Sequence, residues 1–301
     1  MPSRNGPCPC GSTLKYKKCC LAKDEAAQHA LAPPPRPAPR ISHLMPTGPA
    51  KDRHLLVTMT NDPFQPVRLY YAVVDRALVL EKLAALRCVV EAPSERCWQW
   101  LFHAEAASLR FPGGGYDDVP ENKRPIVLGR IRFPEHGTMT LETNSIERAV
   151  AGARFFAPRL GPAVVAMRCR LVNRCFAAHE GQPDQLMATL DQDVTVIDPR
   201  VAEAALKRRL AGVRSTQDAE RAAAESLEQR LKSKDDVPMV EDFPLAPEEE
   251  TPDFTHLATA LQFRFARALE HWRGNTHLTL TAIIVRTVEQ SMRDHAGREG
   301  S

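Results

Sequence analysis

Cysteine thiols are the side chains of this sequence whose spacing points most directly to chemistry. The 301-residue chain holds eight cysteines, which fall into two groups. The first group lies within 13 residues in the order C-x-C-x8-C-C and consists of Cys8, Cys10, Cys19 and Cys20. Four thiols at this spacing, in a chain that starts without an export signal, favour a metal site over disulfide bonds. Soft sulfur ligands in a set of four are typical of tetrahedral Zn²⁺, so we predict one zinc ion there.

The two cysteine groups have different expected roles. The first 23 residues are too short to bury a hydrophobic core, so the metal must supply their folding free energy, on the order of 10–16 kcal/mol for structural zinc in short peptides at neutral pH. The second group is scattered along the middle of the chain and consists of Cys88, Cys97, Cys169 and Cys175. A free cysteine behaves as a small hydrophobic residue, so we expect these four thiols to be free and mostly buried.

The segment RNGPCPCGSTLKYKKCC resembles the SEC-C motif, the zinc-binding tail of the bacterial preprotein translocase ATPase, which also occurs in many unrelated bacterial proteins. The shared pattern N-x-P-C-x-C-G-S-x-x-K-[YF]-K-x-C-[CH] is matched within residues 3–20. Thr13 and Leu14 depart from the usual glycine and basic residue, and Cys20 stands where the translocase has histidine. The resemblance implies that the four clustered cysteines are the zinc ligands. It also implies contacts with protein partners such as a chaperone, and in some settings with ribosomes or lipid.

A basic loop lies between the two cysteine pairs and consists of Lys15, Tyr16, Lys17 and Lys18. One interpretation is a solvated loop that keeps a very small domain soluble. The other is a partner-binding surface, because ammonium groups on a metal-fixed loop form a preorganised positive patch for an acidic partner. Contact with phosphate is a further alternative, although a few lysines give only weak, salt-sensitive binding.

Other patterns do not favour catalysis, and no residue is predicted to be catalytic. The glycines at 113–115 are not followed by the Lys-Ser/Thr of a phosphate-binding loop. The cluster Asp117, Asp118, Glu121 and Lys123 resembles a nuclease site in composition, but it lies in a segment with the sequence of a loop. The leading hypothesis is a non-enzymatic adaptor whose zinc module binds a protein with an acidic surface. The alternative is a nucleic-acid-binding or nucleic-acid-processing protein, such as one from a mobile element.

Composition bounds the environment of the protein. The chain carries 40 basic and 37 acidic residues, a net charge of +3, so global charge does not point to nucleic acid or membrane. The longest charge-free run in an apolar region, 275–285, is far shorter than the roughly 20 residues that cross a bilayer. Because the first residues have no apolar core typical of a signal peptide, we expect a cytoplasmic protein without a membrane span. The resemblance to the SEC-C motif implies a bacterial origin. The sequence leaves the oligomeric state open.

Proline and charge divide the chain into four predicted parts. Residues 1–23 form the zinc-binding module, and the seven prolines of 24–53 predict an extended, semi-rigid linker. Residues 54–200 form an α+β domain of unknown function. Residues 201–301 form a helical region that contains an acidic loop over 235–253, where eight acids and several prolines predict a mobile segment.

Local patterns within residues 54–301 predict the elements that must support any site. Alternating Val67, Leu69 and Tyr71 predict a strand, and 126–133 with 138–143 predict a hairpin. Asn144 and Glu147 have the spacing of a capping box for a helix that ends before Pro158. Strands are also predicted at 88–91, 98–102 and 163–173, and helices near 219–231, 257–272 and 281–292. Irregular alternation of strands and helices indicates an α+β fold.

Overall fold

The computed structural model describes residues 54–211, 215–232, 238–245 and 253–299, together with Lys15 and Lys18. The described residues form eight strands and seven α-helices. The strands are β1 (Val67–Val73), β2 (Val89–Ala92), β3 (Cys97–Leu101), β4 (Val127–Arg132), β5 (Thr138–Thr143), β6 (Val164–Val172), β7 (Val194–Val196) and β8 (Val240–Pro244). The helices are α1 (Arg76–Ala84), α2 (Ile146–Leu160), α3 (Pro183–Met187), α4 (Pro199–Ala211), α5 (Thr216–Lys232), α6 (Thr255–Trp272) and α7 (Leu280–Glu299).

All eight strands belong to one sheet, in the order β2-β3-β4-β5-β1-β6-β8-β7. Every neighbouring pair is antiparallel except β7 and β8, which run parallel. The prediction of an α+β fold is confirmed. The register places Arg68 of β1 opposite Glu142 of β5 on one side and Arg170 of β6 on the other. Polar side chains from distant parts of the sequence therefore share one face of the sheet.

The hydrophobic core lies on the other face of the sheet, against α2 and α6. Alternate strand residues such as Leu69, Leu141 and Leu171 point into this core and are almost fully buried. Helix α2 packs on the sheet through one apolar stripe, and α6 adds Leu257 and Leu261. Helices thus cover one face, while the opposite face of the central strands presents polar residues.

The start of α2 is one residue later than predicted. Ser145, not Asn144, is the N-cap, and its Oγ accepts a hydrogen bond from the Arg148 amide at 3.1 Å. The Asn144 side chain instead accepts a hydrogen bond from the Arg148 guanidinium. The helix also continues past Pro158 to Leu160. Because Pro158 lies in the last turn, its missing amide removes one backbone hydrogen bond without ending the helix there.

The acidic segment over 235–253 is not a mobile loop at its described positions. Residues 240–244 form strand β8, between β6 and β7, and Glu241 and Asp242 are 2% and 1% exposed. The prediction was wrong because an acidic side chain can be buried when an arginine pairs with it. Here Arg264 of α6 pairs with Glu241, and Arg170 of β6 pairs with Asp242. Residues 235–237 and 246–252 lie outside the described part. The sheet and core therefore extend across the boundary predicted at residue 200.

Candidate functional site

Two residues of the predicted basic loop, Lys15 and Lys18, are described by the structure. Both are exposed, and the Lys18 amide donates a hydrogen bond to the Lys15 carbonyl at 2.8 Å. A bond from residue i+3 to residue i is typical of a tight turn. The two ammonium groups are therefore accessible from solvent at the ends of one turn. The other predicted site residues lie outside the described part: Cys8, Cys10, Tyr16, Lys17, Cys19 and Cys20.

The four cysteines of the second group are free and buried, as predicted. Burial raises the pKa of the Cys88 thiol and of the Cys175 thiol to about 12. Burial also raises the pKa values of Cys97 and Cys169. Burial thus disfavours the thiolate, which is the form that acts as nucleophile or metal ligand. These cysteines are packing residues.

The described ranges contain neither a metal-ligating cluster nor a membrane-spanning helix. There, no three His, Cys, Asp or Glu side chains come together in a way that could hold a metal ion. Within those ranges, no helix combines the length and the apolarity needed to cross a membrane. The metal site predicted from the sequence lies in residues 1–23, of which the structure describes Lys15 and Lys18.

The nuclease-like acidic cluster is dispersed over a loop between β3 and β4. Asp118 accepts a hydrogen bond from the Gly115 amide at 2.6 Å, which stabilises a turn. The side chain of Asp117 is 96% exposed, and Glu121 and Lys123 lie in a separate single turn. Catalytic carboxylates must converge on one point. These side chains instead support or border loop turns.

A buried ion pair fastens residues 58–62 to helix α2. The Arg148 guanidinium lies 3.2 Å from the Asp62 carboxylate, and the two side chains are 2% and 0% exposed. Arg148 also donates hydrogen bonds to the Thr60 hydroxyl, the Val127 carbonyl and the Asn144 side chain. A buried charge is tolerated when it is paired and its donors are used. This network holds the chain entering the first strand against the start of α2.

Glu147, beside this network, is a buried carboxyl group with an unsatisfied oxygen. Its Oε2 is buried and forms no hydrogen bond with any residue of the described ranges. Burial raises the pKa of Glu147 to about 7, and the nearby negative charge of Asp62 adds to the effect. The group therefore holds its proton far more tightly in the folded chain than in water.

The open face of the sheet carries arginines that are not among the predicted site residues. They lie on three strands of the sheet, of which β1 and β6 are neighbours and β4 is separated from β1 by β5, namely Arg68 on β1, Arg130 and Arg132 on β4, and Arg168 and Arg170 on β6. The sequence signal is the pair of arginines two positions apart in an apolar strand, because such residues point to the same face. Tyr70 lies among them, with the Arg168 guanidinium 3.5 Å from its ring centroid.

Ion pairs on this face form two separate groups. Arg68, Arg132, Arg168 and Arg170 share three carboxylates, those of Glu142, Asp191 and Asp242. Arg130 pairs separately with Glu95 and Asp184. Binding of a nucleic-acid backbone requires several cations that are available to phosphates. The five arginines of this face are matched by five carboxylates, so the face does not resemble such a surface.

Known proteins resemble this chain in its N-terminal segment. The SEC-C motif family matches residues 4–22, so the chain contains a SEC-C motif, as predicted. The protein translocase subunit SecA of Desulforudis audaxviator is 79% identical over 24 residues, which are 8% of this chain and 3% of that protein. A UPF0225 protein of Sodalis glossinidius is 80% identical over 20 residues, 7% of this chain and 13% of its own length. The matched segment spans a small fraction of both relatives. No solved structure matches the chain.

Proposed function

We propose that this protein is a zinc-binding, non-enzymatic adaptor that recognises a partner protein through residues 1–23. In this proposal Cys8, Cys10, Cys19 and Cys20 hold one Zn²⁺. The basic loop formed by Lys15, Tyr16, Lys17 and Lys18 contacts an acidic surface of the partner. The observation that carries the proposal is the SEC-C match over residues 4–22, which contains all four cysteines.

The donor set supports zinc in this role. Four thiolates within 13 residues are a soft, four-ligand set, which suits tetrahedral Zn²⁺ and not the hard cations. A structural zinc ion closes its coordination shell with protein ligands, so it organises a loop and leaves no position for a substrate. Cytoplasmic proteins keep their cysteines reduced. The described residues between 54 and 299, which we call the sheet domain, contain free thiols that fit that compartment. We therefore place the adaptor in the cytoplasm.

The charge of the segment supports an acidic partner. Residues 1–23 contain five basic and no acidic residues, and the described lysines, Lys15 and Lys18, are exposed. A loop fixed by the metal loses little conformational freedom on binding, which favours affinity. Nucleic acid is the less favoured partner because the arginine-rich sheet face is neutralised by its own carboxylates.

Binding by the full-length protein tests the proposal. The zinc-loaded chain is immobilised and its retained partner identified, and the affinity for that partner is then measured for variants. A triple Lys15→Gln, Lys17→Gln, Lys18→Gln variant should keep its zinc and bind at least about tenfold more weakly, because several charge contacts are lost together. The matched control is Lys123→Gln, at an exposed position of the sheet domain.

Two outcomes contradict the proposal. One is a partner affinity that the triple lysine variant and a Cys8→Ser, Cys10→Ser variant both leave unchanged. The other is retention of duplex DNA with a steep dependence on salt, which would assign the chain to the nucleic-acid-binding class.

A further inference from the structure

A pocket opens at the edge of the arginine-rich sheet face, where β1, β6 and β8 meet the start of α4. Its volume is about 400 Å³. Two arginines, Arg168 and Arg200, line it together with the carboxylates of Asp198 and Asp242. Pockets of this size hold small organic molecules, and a few convergent polar groups in them fix the orientation of the ligand.

The ion-pair group that includes Arg168 has one positive charge in excess, while the separate Arg130 group has one carboxylate in excess, so the face as a whole is balanced. The group that includes Arg168 has four guanidinium groups and three carboxylates. The second pair that lines the pocket is neutral, because Arg200 donates to both oxygens of Asp198 at 3.0 and 2.9 Å. One anionic group would complete the charge balance of the ion-pair group that includes Arg168. A dianion would exceed the single positive charge that this ion-pair group has in excess.

Arg168 is the arginine whose geometry suits the binding of an anionic group. Its guanidinium is stacked on the Tyr70 ring, and Nη1 donates to Asp242. Nε and Nη2 form no hydrogen bond within the described ranges, and the side chain is 40% exposed, more than the other arginines of its ion-pair group. A stacked, anchored guanidinium with two donors left over is preorganised to bind a carboxylate through both oxygens.

Apolar side chains complete the lining. Met167 and Val196 both line the pocket, and they are 47% and 73% exposed. Ala72 and Pro244 add further apolar surface. An apolar ligand group placed against these side chains would remove their exposed surface from water. The ligand thus carries an apolar body in addition to its charge.

We propose that this pocket binds a small organic monocarboxylate, with its carboxylate on Arg168 and its apolar body against Met167 and Val196. The site belongs to the sheet domain and is independent of the zinc-dependent function proposed above. It requires residues of β1, β6, β7 and β8, which the sheet brings together from positions 70 to 244.

Calorimetric titration of the full chain with 3-phenylpropionate tests the site. The acid should bind at least about tenfold more tightly than its uncharged amide, 3-phenylpropionamide, because only the acid accepts charge-assisted hydrogen bonds from Arg168. Acetate should bind at least about tenfold more weakly than 3-phenylpropionate, because it lacks the apolar body. Inorganic phosphate should bind more weakly than the acid.

Variants distinguish the contribution of the pocket residues to binding from that of other residues on the same face of the sheet. Arg168→Gln should abolish the preference for the acid over the amide, and Arg168→Lys, which keeps the charge, should preserve part of it. Met167→Gln should weaken both ligands and leave their ratio unchanged. Arg130→Gln is the matched control, because Arg130 lies on the same face in the separate ion-pair group.

The proposal is overturned by equal binding of acid and amide, by tighter binding of phosphate, or by no binding to the wild-type chain at about 10 mM. An unchanged acid-to-amide ratio in both Arg168 variants also overturns it. A thermal unfolding curve for each variant establishes that the chain remains folded.

Discussion

The N-terminal segment and the sheet domain each contain four cysteines, and we assign opposite roles to the two sets. In residues 1–23 the cysteines are close in sequence and are the predicted ligands of one metal ion. In the sheet domain they are spread from Cys88 to Cys175, and every one is free and buried. Close spacing predicts a ligand set, and wide spacing predicts packing residues of the same type.

The largest effect should come from the clustered cysteines. A Cys8→Ala, Cys19→Ala variant should lose its equivalent of zinc, because two of four thiolate ligands are absent and the metal provides on the order of 10–16 kcal/mol of folding free energy in such peptides. Metal analysis of the purified full-length protein measures the zinc content.

The second cysteine group provides the control for this experiment. A Cys88→Ala, Cys175→Ala variant should keep a full equivalent of zinc and lose only packing free energy, because both thiols are buried and free. Full zinc in the Cys8, Cys19 variant, or loss of zinc from the control, would show that the two groups have been assigned the wrong roles.

The next largest effect should come from the buried ion pair of the sheet domain. Asp62→Asn keeps the side-chain volume but leaves the Arg148 guanidinium, which is 2% exposed, without its carboxylate. Loss of one partner of a buried pair costs about 3–5 kcal/mol. Urea denaturation of wild type and variant measures the change in the free energy of unfolding.

A surface pair provides the matched comparison for Asp62. Arg130 and Glu95 are 3.2 Å apart with side chains 30% and 42% exposed, so Arg130→Gln should cost only about 0.2–1 kcal/mol. Equal costs for the two substitutions would mean that Arg148 and Asp62 do not act as a buried pair.

The smallest effect concerns pH and the Glu147 carboxyl group. Its pKa is about 7 in the folded chain, above the ordinary value of 4.5, so the folded state binds the proton more tightly. The stability that this group contributes is fully present below pH 4.5 and is lost as the pH rises through about 7. The loss amounts to at most about 3 kcal/mol. Glu147→Gln should remove this pH dependence. The free energy of unfolding of the variant should therefore rise relative to that of wild type as the pH increases from 4.5 to about 7.

Denaturation of both chains across that pH range measures this difference. Glu135→Gln, at an exposed turn between β4 and β5, is the matched control. A constant difference in stability between wild type and Glu147→Gln over the whole range would contradict the assignment.

The sequence predicted those features whose physical cause is local. The SEC-C segment is recognisable because its ligands, turn residues and lysines all lie within about 20 consecutive positions. The strands near Val67 and at residues 126–143 were predicted because alternation of apolar and polar residues is a property of a single strand. The burial of Cys88, Cys97, Cys169 and Cys175 followed from the hydrophobic character of a free thiol.

Only the tertiary structure decided the features that depend on partners distant in sequence. The acidic composition of 235–253 predicted a loop, yet Glu241 and Asp242 are buried in β8 because Arg264, Arg168 and Arg170 supply their counter-charges. The pocket on the sheet face likewise joins residues from β1 to the start of α4. Charge balance and pocket shape both depend on residues that strand pairing brings together. The pattern of any one segment does not contain that pairing.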